Sequence, residues 1–556
     1  MYKLYFKSII LFFIALLYQQ TLSQEWIKTT ATPGDDKITA AVTDVQGNVY
    51  VTGYCTQTVG GVNYCTKKYK TDGTLLWTSF YNGNAQGEDR AFGIAVDRAG
   101  SSVYITGSSA SFGGNIDVAT IKYDALTGTQ IGIYRFGDPS NLEDRAFGIA
   151  VDRIGNVYIT GYITRPGIGK DIYTAKYNSS LNFIWHKTYV GNGNGEDRAF
   201  GIVTDSLGNN IFITGSTTDS ATGIDLITVC YDSSGTERWL DTYPGAPTNE
   251  EDRAFGIAVD NFDGGGVYIT GFVTDSINNS NYITIKYNPL TGDTVWTAKY
   301  KGPGNSIDRA FGIAVDRIGN CYVTGMSTGI ETNGDYLTIK YNQEGVAAWT
   351  KRYYGLEGYK DSATSIIYSK GFVYVTGYSI NDTSNKKEDV FTIKYNINGD
   401  SVQASRIDIL QLKDVGVKVV ADTAGNIFIG GYTYNPVTDF DWLVMKYYLG
   451  ALVIGIRQIS TEVPDEFMLY QNYPNPFNPE TKIRFSVSNS QVGKEQIVKL
   501  VLYDVLGREA AVLVNERLKP AAYEVNWDAK DFVSGVYFYR LIYGDFSVTK
   551  KMILIK

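Results

Sequence analysis

The stretch DRAFGIAVDRIGNVYITGY, Asp144–Tyr162, decides the fold, because it returns almost unchanged as DRAFGIAVDRIGNCYVTGM at Asp308–Met326. A landmark inside it, Thr-Gly or Gly-Gly closing a β-branched run, recurs with its second glycine at Gly53, Gly107, Gly161, Gly215, Gly271, Gly325, Gly377 and Gly431. A second, Lys-Tyr or Cys-Tyr, falls at Tyr69, Tyr123, Tyr177, Tyr231, Tyr287, Tyr341, Tyr395 and Tyr447. Both keep steps of 52 to 56 residues. One period reads as four short strands: A over Asp197–Asp205, B over Asn210–Ser216, C over Leu226–Tyr231 and D over Trp239–Tyr243. Four strands per unit of about 50 residues is the pattern of a propeller blade. Eight units predict eight blades.

Working outward, strand D carries Trp77, Trp185, Trp239, Trp296 and Trp349, and Trp26 stands ahead of the first strand A at similar spacing with no blade of its own. Trp26–Thr30 is therefore expected to be the missing outer strand of the last blade, closing the ring and leaving no open edge; Leu452–Ile456 competes for that place. In Arg90–Val96, strict alternation sets Ala91, Gly93 and Ala95 on one face and Phe92, Ile94 and Val96 on the other. A bulky face on a small one packs without voids, so Gly148 and Gly201 are expected to resist enlargement.

Composition agrees with an all-β chain. The 556 residues include 59 Gly and only 13 Pro, and 14% are aromatic. A net charge of -8 argues against nucleic acid as partner. The single histidine, His186, beside Trp185 on an outer strand, excludes multi-histidine metal sites and proton relays and is expected to be solvated. No glycine-rich phosphate cradle, Cys-x-x-Cys or nucleophile elbow occurs, and no cofactor or metal is expected. Residues 1–23 read as a signal peptide, with Lys3 and Lys7 before the apolar run Ile9–Leu17. No other run is long and apolar enough to span a membrane, so the mature chain is expected without a transmembrane segment. In the oxidising compartment that export implies, Cys55 and Cys65 are expected to form a disulfide across the B–C connection of the first blade, with Cys230 and Cys321 free.

The repeated units resemble the bacterial β-propeller repeats called SBBP repeats, over residues 24–448. After a linker at 449–466, LYQNYPNPFNPETKIRF (Leu469–Phe485) resembles the opening of the C-terminal sorting domain of the type IX secretion system, over 467–556. Its motif residues here are Tyr473, Pro474, Asn475, Pro476, Phe477, Asn478 and Pro479, followed by Gly507 in LYDVLGRE and Gly535 in SGVYFYRL. The prolines suit a loop that cannot join a sheet, and the later alternations suit a small Ig-like β-sandwich. The resemblance implies recognition by the type IX machinery, export to the outside or outer surface of a Gram-negative cell, removal of this domain and attachment to surface lipopolysaccharide.

The candidate site lies at the start of each strand A. Asp36, Asp89, Asp144, Asp197, Asp252, Asp308, Asp361 and Asp414 open the eight strands, followed in five by Arg90, Arg145, Arg198, Arg253 and Arg309. Two readings compete: interblade Asp–Arg salt bridges, or a polar ligand site at the channel mouth aided by Glu88, Glu143, Glu196 and Glu251. The second acid of each unit, as in Asp97, Asp152, Asp260 and Asp316, reads as a turn cap. The expectation is a binding or adhesion protein that takes a polysaccharide or protein through the B–C loops Ser108–Ile116, Ile163–Lys170, Thr217–Gly223 and Ile380–Glu388. The alternative is a carbohydrate-active hydrolase or lyase using channel-mouth carboxylates.

Overall fold

The computed structural model describes residues 24–555, apart from 31, 58–60, 84, 86, 138–141, 246–250, 261–264, 276–278, 305, 331, 356–357, 381–386, 410, 448–452, 461–463, 465, 489–496, 506, 508, 519, 530–531 and 545. The expected signal peptide lies outside the described residues. Two compact units separate, one of Gln24–Asp400 with Arg406–Tyr447 and one beginning at Tyr448.

In the first unit, eight sheets are built on four antiparallel strands each, in the order A–B–C–D. The third blade is typical, with Arg145–Val151, Val157–Arg165, Gly169–Tyr177 and Phe183–Tyr189. Its runs of Val, Ile, Thr and Tyr favour extended chain, and strands B and C are buried on both faces. Strand A of each blade packs on strand A of the next, and Asp414–Ala421 of the eighth packs on Lys37–Thr43 of the first, so the ring is closed. The eighth blade takes its outer strand from the other end of the chain: Gln24–Thr30 runs antiparallel to Asp439–Tyr447.

The tryptophans explain how neighbours hold together. Trp77, Trp185, Trp239, Trp296 and Trp349 donate their indole N–H to carbonyls of Ala125, Ser233, Pro289, Gln343 and Ile397, each in the C–D turn of the following blade. Trp26 does the same to Thr71 of the first blade, with its ring over Gly73, whose φ of 82° leaves no room for a side chain. The closing strand thus repeats the contact that joins every other Trp-bearing blade to its neighbour.

Strand A departs from strict alternation. Its pairing with strand B slips by one residue at Phe92, Phe147, Phe200, Phe255 and Phe311, a β-bulge repeated in these five blades. The bulge brings these rings together, with successive centroids 5.4, 5.6, 5.5 and 5.8 Å apart. Where the bulged residue is Thr39 or Thr364, its hydroxyl instead donates to the strand A carbonyl of the next blade, Ala91 or Gly416. After the bulge, Gly148 and Gly201 receive the next blade's isoleucine: a Cβ would stand 2.9 Å from Ile202 Cγ2 and 2.7 Å from Ile257 Cγ2 respectively.

The second unit holds two four-stranded sheets sharing one core, including Phe485 and Trp527 from one and Leu500, Tyr539 and Leu541 from the other. Residues 449–466, read from sequence as a linker, contain a strand, Val453–Ser460, which pairs with Ala521–Asp528 and so belongs to this sandwich. The proline-rich motif is anchored more closely than a free loop. Tyr473 bridges Lys482, Phe477 bridges Leu554 and packs on Trp527, and Asn475 Oδ1 accepts the Ile553 N–H at 2.9 Å. Asn472 amide donates to the Pro474 carbonyl and Thr481 Oγ1. Pro476, Asn478 and Pro479 complete the segment, and Gly507 turns the chain with φ of 76°. A Cβ on Gly535 would meet open space, so no steric reason for glycine appears there.

Candidate functional site

The repeated aspartates at the head of strand A are interior groups. Asp36, Asp89, Asp144, Asp197, Asp252 and Asp308 are all 3% exposed or less. Each carboxylate latches backbone. Asp89 accepts N–H bonds from Gly83 and Ala110 at 2.7 and 2.9 Å, Asp197 from Gly191 and Thr218 at 2.6 and 2.7 Å, and Asp252 from Gly245 and Thr274 at 2.6 Å each. Asp308 takes Gly302 and Thr328, Asp361 takes Gly355 and Ile380, Asp36 takes Thr32 and Thr56, and Asp144 takes Thr164. Where both bonds are present, one oxygen holds the D–A connection and the other the end of strand B. The backbone N–H of these aspartates reaches in turn to the preceding blade, as from Asp197 to the Lys170 carbonyl at 2.6 Å and from Asp252 to Ile224 at 2.7 Å.

This corrects the Asp–Arg ring. Among the described residues, Arg90, Arg145, Arg198 and Arg253 pair with Glu88, Glu143, Glu196 and Glu251, two residues earlier in the chain. Guanidinium groups also lie over rings of the preceding blade: Arg90 over Tyr54 at 4.5 Å, Arg198 over Tyr162 at 5.3 Å and Arg309 over Phe272 at 4.3 Å. Asp and Arg are neighbours in sequence on opposite faces, and the backbone N–H groups claim the Asp first. The Arg–Glu pairs form the more accessible polar groups there, while the Asp carboxylates are buried and bound to backbone N–H groups.

A further acid, present in six of the eight blades, went unread in the sequence. Asp117, Asp171, Asp225, Asp335, Asp389 and Asp441 stand near the start of strand C in six blades, with Asn63 and Asn281 in the other two. Arg135, Arg352 and Arg406 on strand D pair with Asp117, Asp335 and Asp389 at 3.3, 2.6 and 3.0 Å. The glycine after strand D was legible: it precedes the latch Asp at Gly83, Gly191, Gly245, Gly302 and Gly355, where a Cβ would approach other atoms within 2.2–2.4 Å.

Burial raises the carboxyl pKa of Asp89, Asp197, Asp308 and Asp361 above the usual range. Burial, reinforced by Asp441 and Asp225 respectively, pushes Asp36 and Asp252 up to about 6 against the lowering pull of their N–H partners. Asp414 reaches about 7, again by burial first and then beside Asp408 and Asp389. Those three acids bring oxygens within 4.8 Å of one another, the arrangement that could hold a cation, but Arg406 is already seated on Asp389.

Cys55 and Cys65 are buried free thiols in the structure, where a disulfide was expected. In the antiparallel register Cys55 faces Asn63 and Cys65 faces Gly53, so the two cysteines are diagonal rather than opposite. A hydrogen bond with Cys65, together with burial, holds the Cys55 thiol far above its usual pKa and keeps it protonated. His186 is exposed, with Phe136 and Phe183 rings beside it. Asp152 and Asp316 cap their turns through the N–H groups of Asn156 and Asn320 and also accept the Tyr158 and Tyr322 hydroxyls.

The B–C loops are shorter than the sequence suggested. Pairing continues through Ala110–Ile116, Arg165–Gly169 and Asp219–Gly223, leaving tips of 111–115, 166–168 and 220–222. Residues 381–386 of the loop Ile380–Glu388 lie outside the described residues. Two depressions open beside such tips. One, of about 590 Å³, is lined by Glu88, Phe112, Gly113 and Gly114; another, of about 290 Å³, by Asn281, Lys299 and Lys301.

A closed eight-bladed ring whose repeated aspartates are buried, followed by a β-sandwich, defines a propeller protein with an appended C-terminal domain. The family described as Secretion system C-terminal sorting domain matches residues 471–556, and that described as Beta-propeller repeat (SBBP) matches 186–220. The sorting domain marks proteins exported by the type IX secretion system to the cell surface or extracellular space, and implies interaction with that machinery. No curated protein matches the chain. Among solved structures, the chain is similar to a quinohemoprotein alcohol dehydrogenase from Comamonas testosteroni (11% identity, 81% of this chain and 78% of that one, TM-score 0.49). It is also similar to one from Pseudomonas putida HK5 (12%, 80% and 79%, 0.47) and to the periplasmic gluconolactonase of Pseudomonas aeruginosa (10%, 68% and 98%, 0.40). No helix of the described residues is long and apolar enough to cross a membrane.

Proposed function

We propose that the chain is a binding protein, secreted or attached to surface lipopolysaccharide after its sorting domain is removed. Its propeller, residues 24–448, holds a polysaccharide or protein on the face where the B–C tips and D–A connections emerge, without catalysing a reaction on it. One observation carries this reading: the repeated carboxylates are spent on backbone N–H groups, whereas glycosidic chemistry needs two acids of unlike pKa free to reach one bond. Near-identical latches support a ring, and what differs from blade to blade at the tips supports selectivity. A glycan array probed with the purified protein, followed by product analysis of every glycan retained, tests it. Retention without product is expected; release of shortened or unsaturated sugars that stops on changing one carboxylate would replace this reading with the enzyme.

A further inference from the structure

Blade five keeps half of a charge pair that three other blades complete. Where blades two, six and seven set a strand D arginine against a strand C aspartate, blade five keeps the base and loses the acid. Lys299 occupies the strand D register of Arg135 and Arg352, opposite Ile283 as those stand opposite Ala119 and Leu337. The strand C position is Asn281. Among the described residues Lys299 makes no ion pair; its ammonium lies 5.4 Å from the Tyr243 ring centroid. The nearby Asp252, whose carboxyl pKa is raised by burial and pulled back down in part by Lys299, has each oxygen bound to a backbone N–H, of Gly245 and Thr274, and forms no ion pair with Lys299 among the described residues.

The same place is hollow. A pocket of about 290 Å³ is lined by Lys299, Lys301 and Asn281, with Gly245 and Thr274 of the latch in its wall. Lys301 is held at 3.2 Å from Asp275. Asn281 is 8% exposed, and its side-chain oxygen has no hydrogen-bond partner. A buried amide oxygen left unpaired costs about 1–3 kcal/mol, so the pocket calls for a donor there. It calls for an anion at Lys299.

A bare carboxylate or a sulfate ion, which carries no proton at neutral pH, meets the second demand and not the first. A sugar acid meets both, and the volume, at the low end of ligand sites of roughly 300–1,000 Å³, suits one ring. We propose that this blade-five pocket binds a single uronate residue of an acidic polysaccharide, its carboxylate on Lys299 and one hydroxyl donating to Asn281 Oδ1. The inference rests on the polysaccharide branch of the proposed reading and names the ligand class.

Calorimetric titration of the purified full chain with trigalacturonate, galactotriose and inorganic sulfate tests it. Trigalacturonate should bind, weaken with added salt, and lose at least tenfold in affinity in Lys299→Ala; galactotriose and sulfate should not bind measurably. Asn281→Asp restores the acid–base pair of the other blades, so it should abolish trigalacturonate binding with the melting temperature unchanged or raised. Sulfate binding as tight as the uronate, or uronate affinity indifferent to both substitutions, overturns the proposal. If trigalacturonate fails while the array retains some other glycan, the pocket assignment falls and the binding protein stands; an array that retains nothing removes the polysaccharide reading and the pocket assignment with it.

Discussion

Replacing Asp252 tests whether the repeated acids are structural. Its two oxygens hold the Gly245 and Thr274 N–H groups at 2.6 Å, tying the D–A connection to the end of strand B. Bonds to a charged group contribute about 1.5–3 kcal/mol each, and stranding a buried N–H costs about 1–3 kcal/mol. Against this, burial and Asp225 lift the carboxyl to about 6. Each tenfold weakening of its acidity penalises the ionised form by about 1.4 kcal/mol. The net expectation is a loss of about 2–4 kcal/mol for Asp252→Ala, and Asp252→Asn, which keeps one acceptor, should lose about half of that.

The sign of the pH dependence follows from the raised pKa. The folded state holds its proton more tightly than the unfolded chain, so this stabilising contribution is complete below about pH 4 and is lost as pH rises through about 6. Urea unfolding of wild type and Asp252→Asn, read by tryptophan fluorescence at about pH 5 and about pH 8, should therefore show a larger cost at the lower pH, by on the order of 1–2 kcal/mol. A cost that grows with pH, or a variant as stable as wild type at both, would refute the account.

Four further outcomes follow. Deleting residues 24–33 should lower the melting temperature clearly, because it bares the Asp439–Tyr447 edge and removes the Trp26 contact with Thr71; an unchanged value would count against ring closure. Gly201→Val should cost about 1–3 kcal/mol by overpacking Ile257, measurable by chemical denaturation, and Gly201→Ala should cost less. Alkylation in denaturant without reductant should label all four cysteines, and two labels would instead mean a Cys55–Cys65 bond. Truncation from residue 453 onward should leave the protein in the periplasm, and normal surface display of that variant would contradict the sorting role of the tail.

Much of the architecture was legible because it is written as covalent spacing. Landmarks such as Gly161 and Tyr177 must return once per blade whatever the blade touches, and the YPNPFNP run of the tail is a local pattern. Trp26 was readable for the same reason, as a strand D residue lacking its blade. The tertiary structure decided the rest, because the partners concerned carry no letter of their own. Asp252 bonds backbone N–H groups 7 residues behind and 22 ahead, so its neighbour Arg253 falls to Glu251 instead. The bulge at Phe92 shifts the strand by one residue, which no alternation of side chains announces. Cys55 and Cys65 bracket the same hairpin, yet their register makes them diagonal. Lys299 and Asn281 were ordinary letters until the sheet set them together without the strand C aspartate that six other blades supply, since only packing across strands shows which base lacks an acid opposite it.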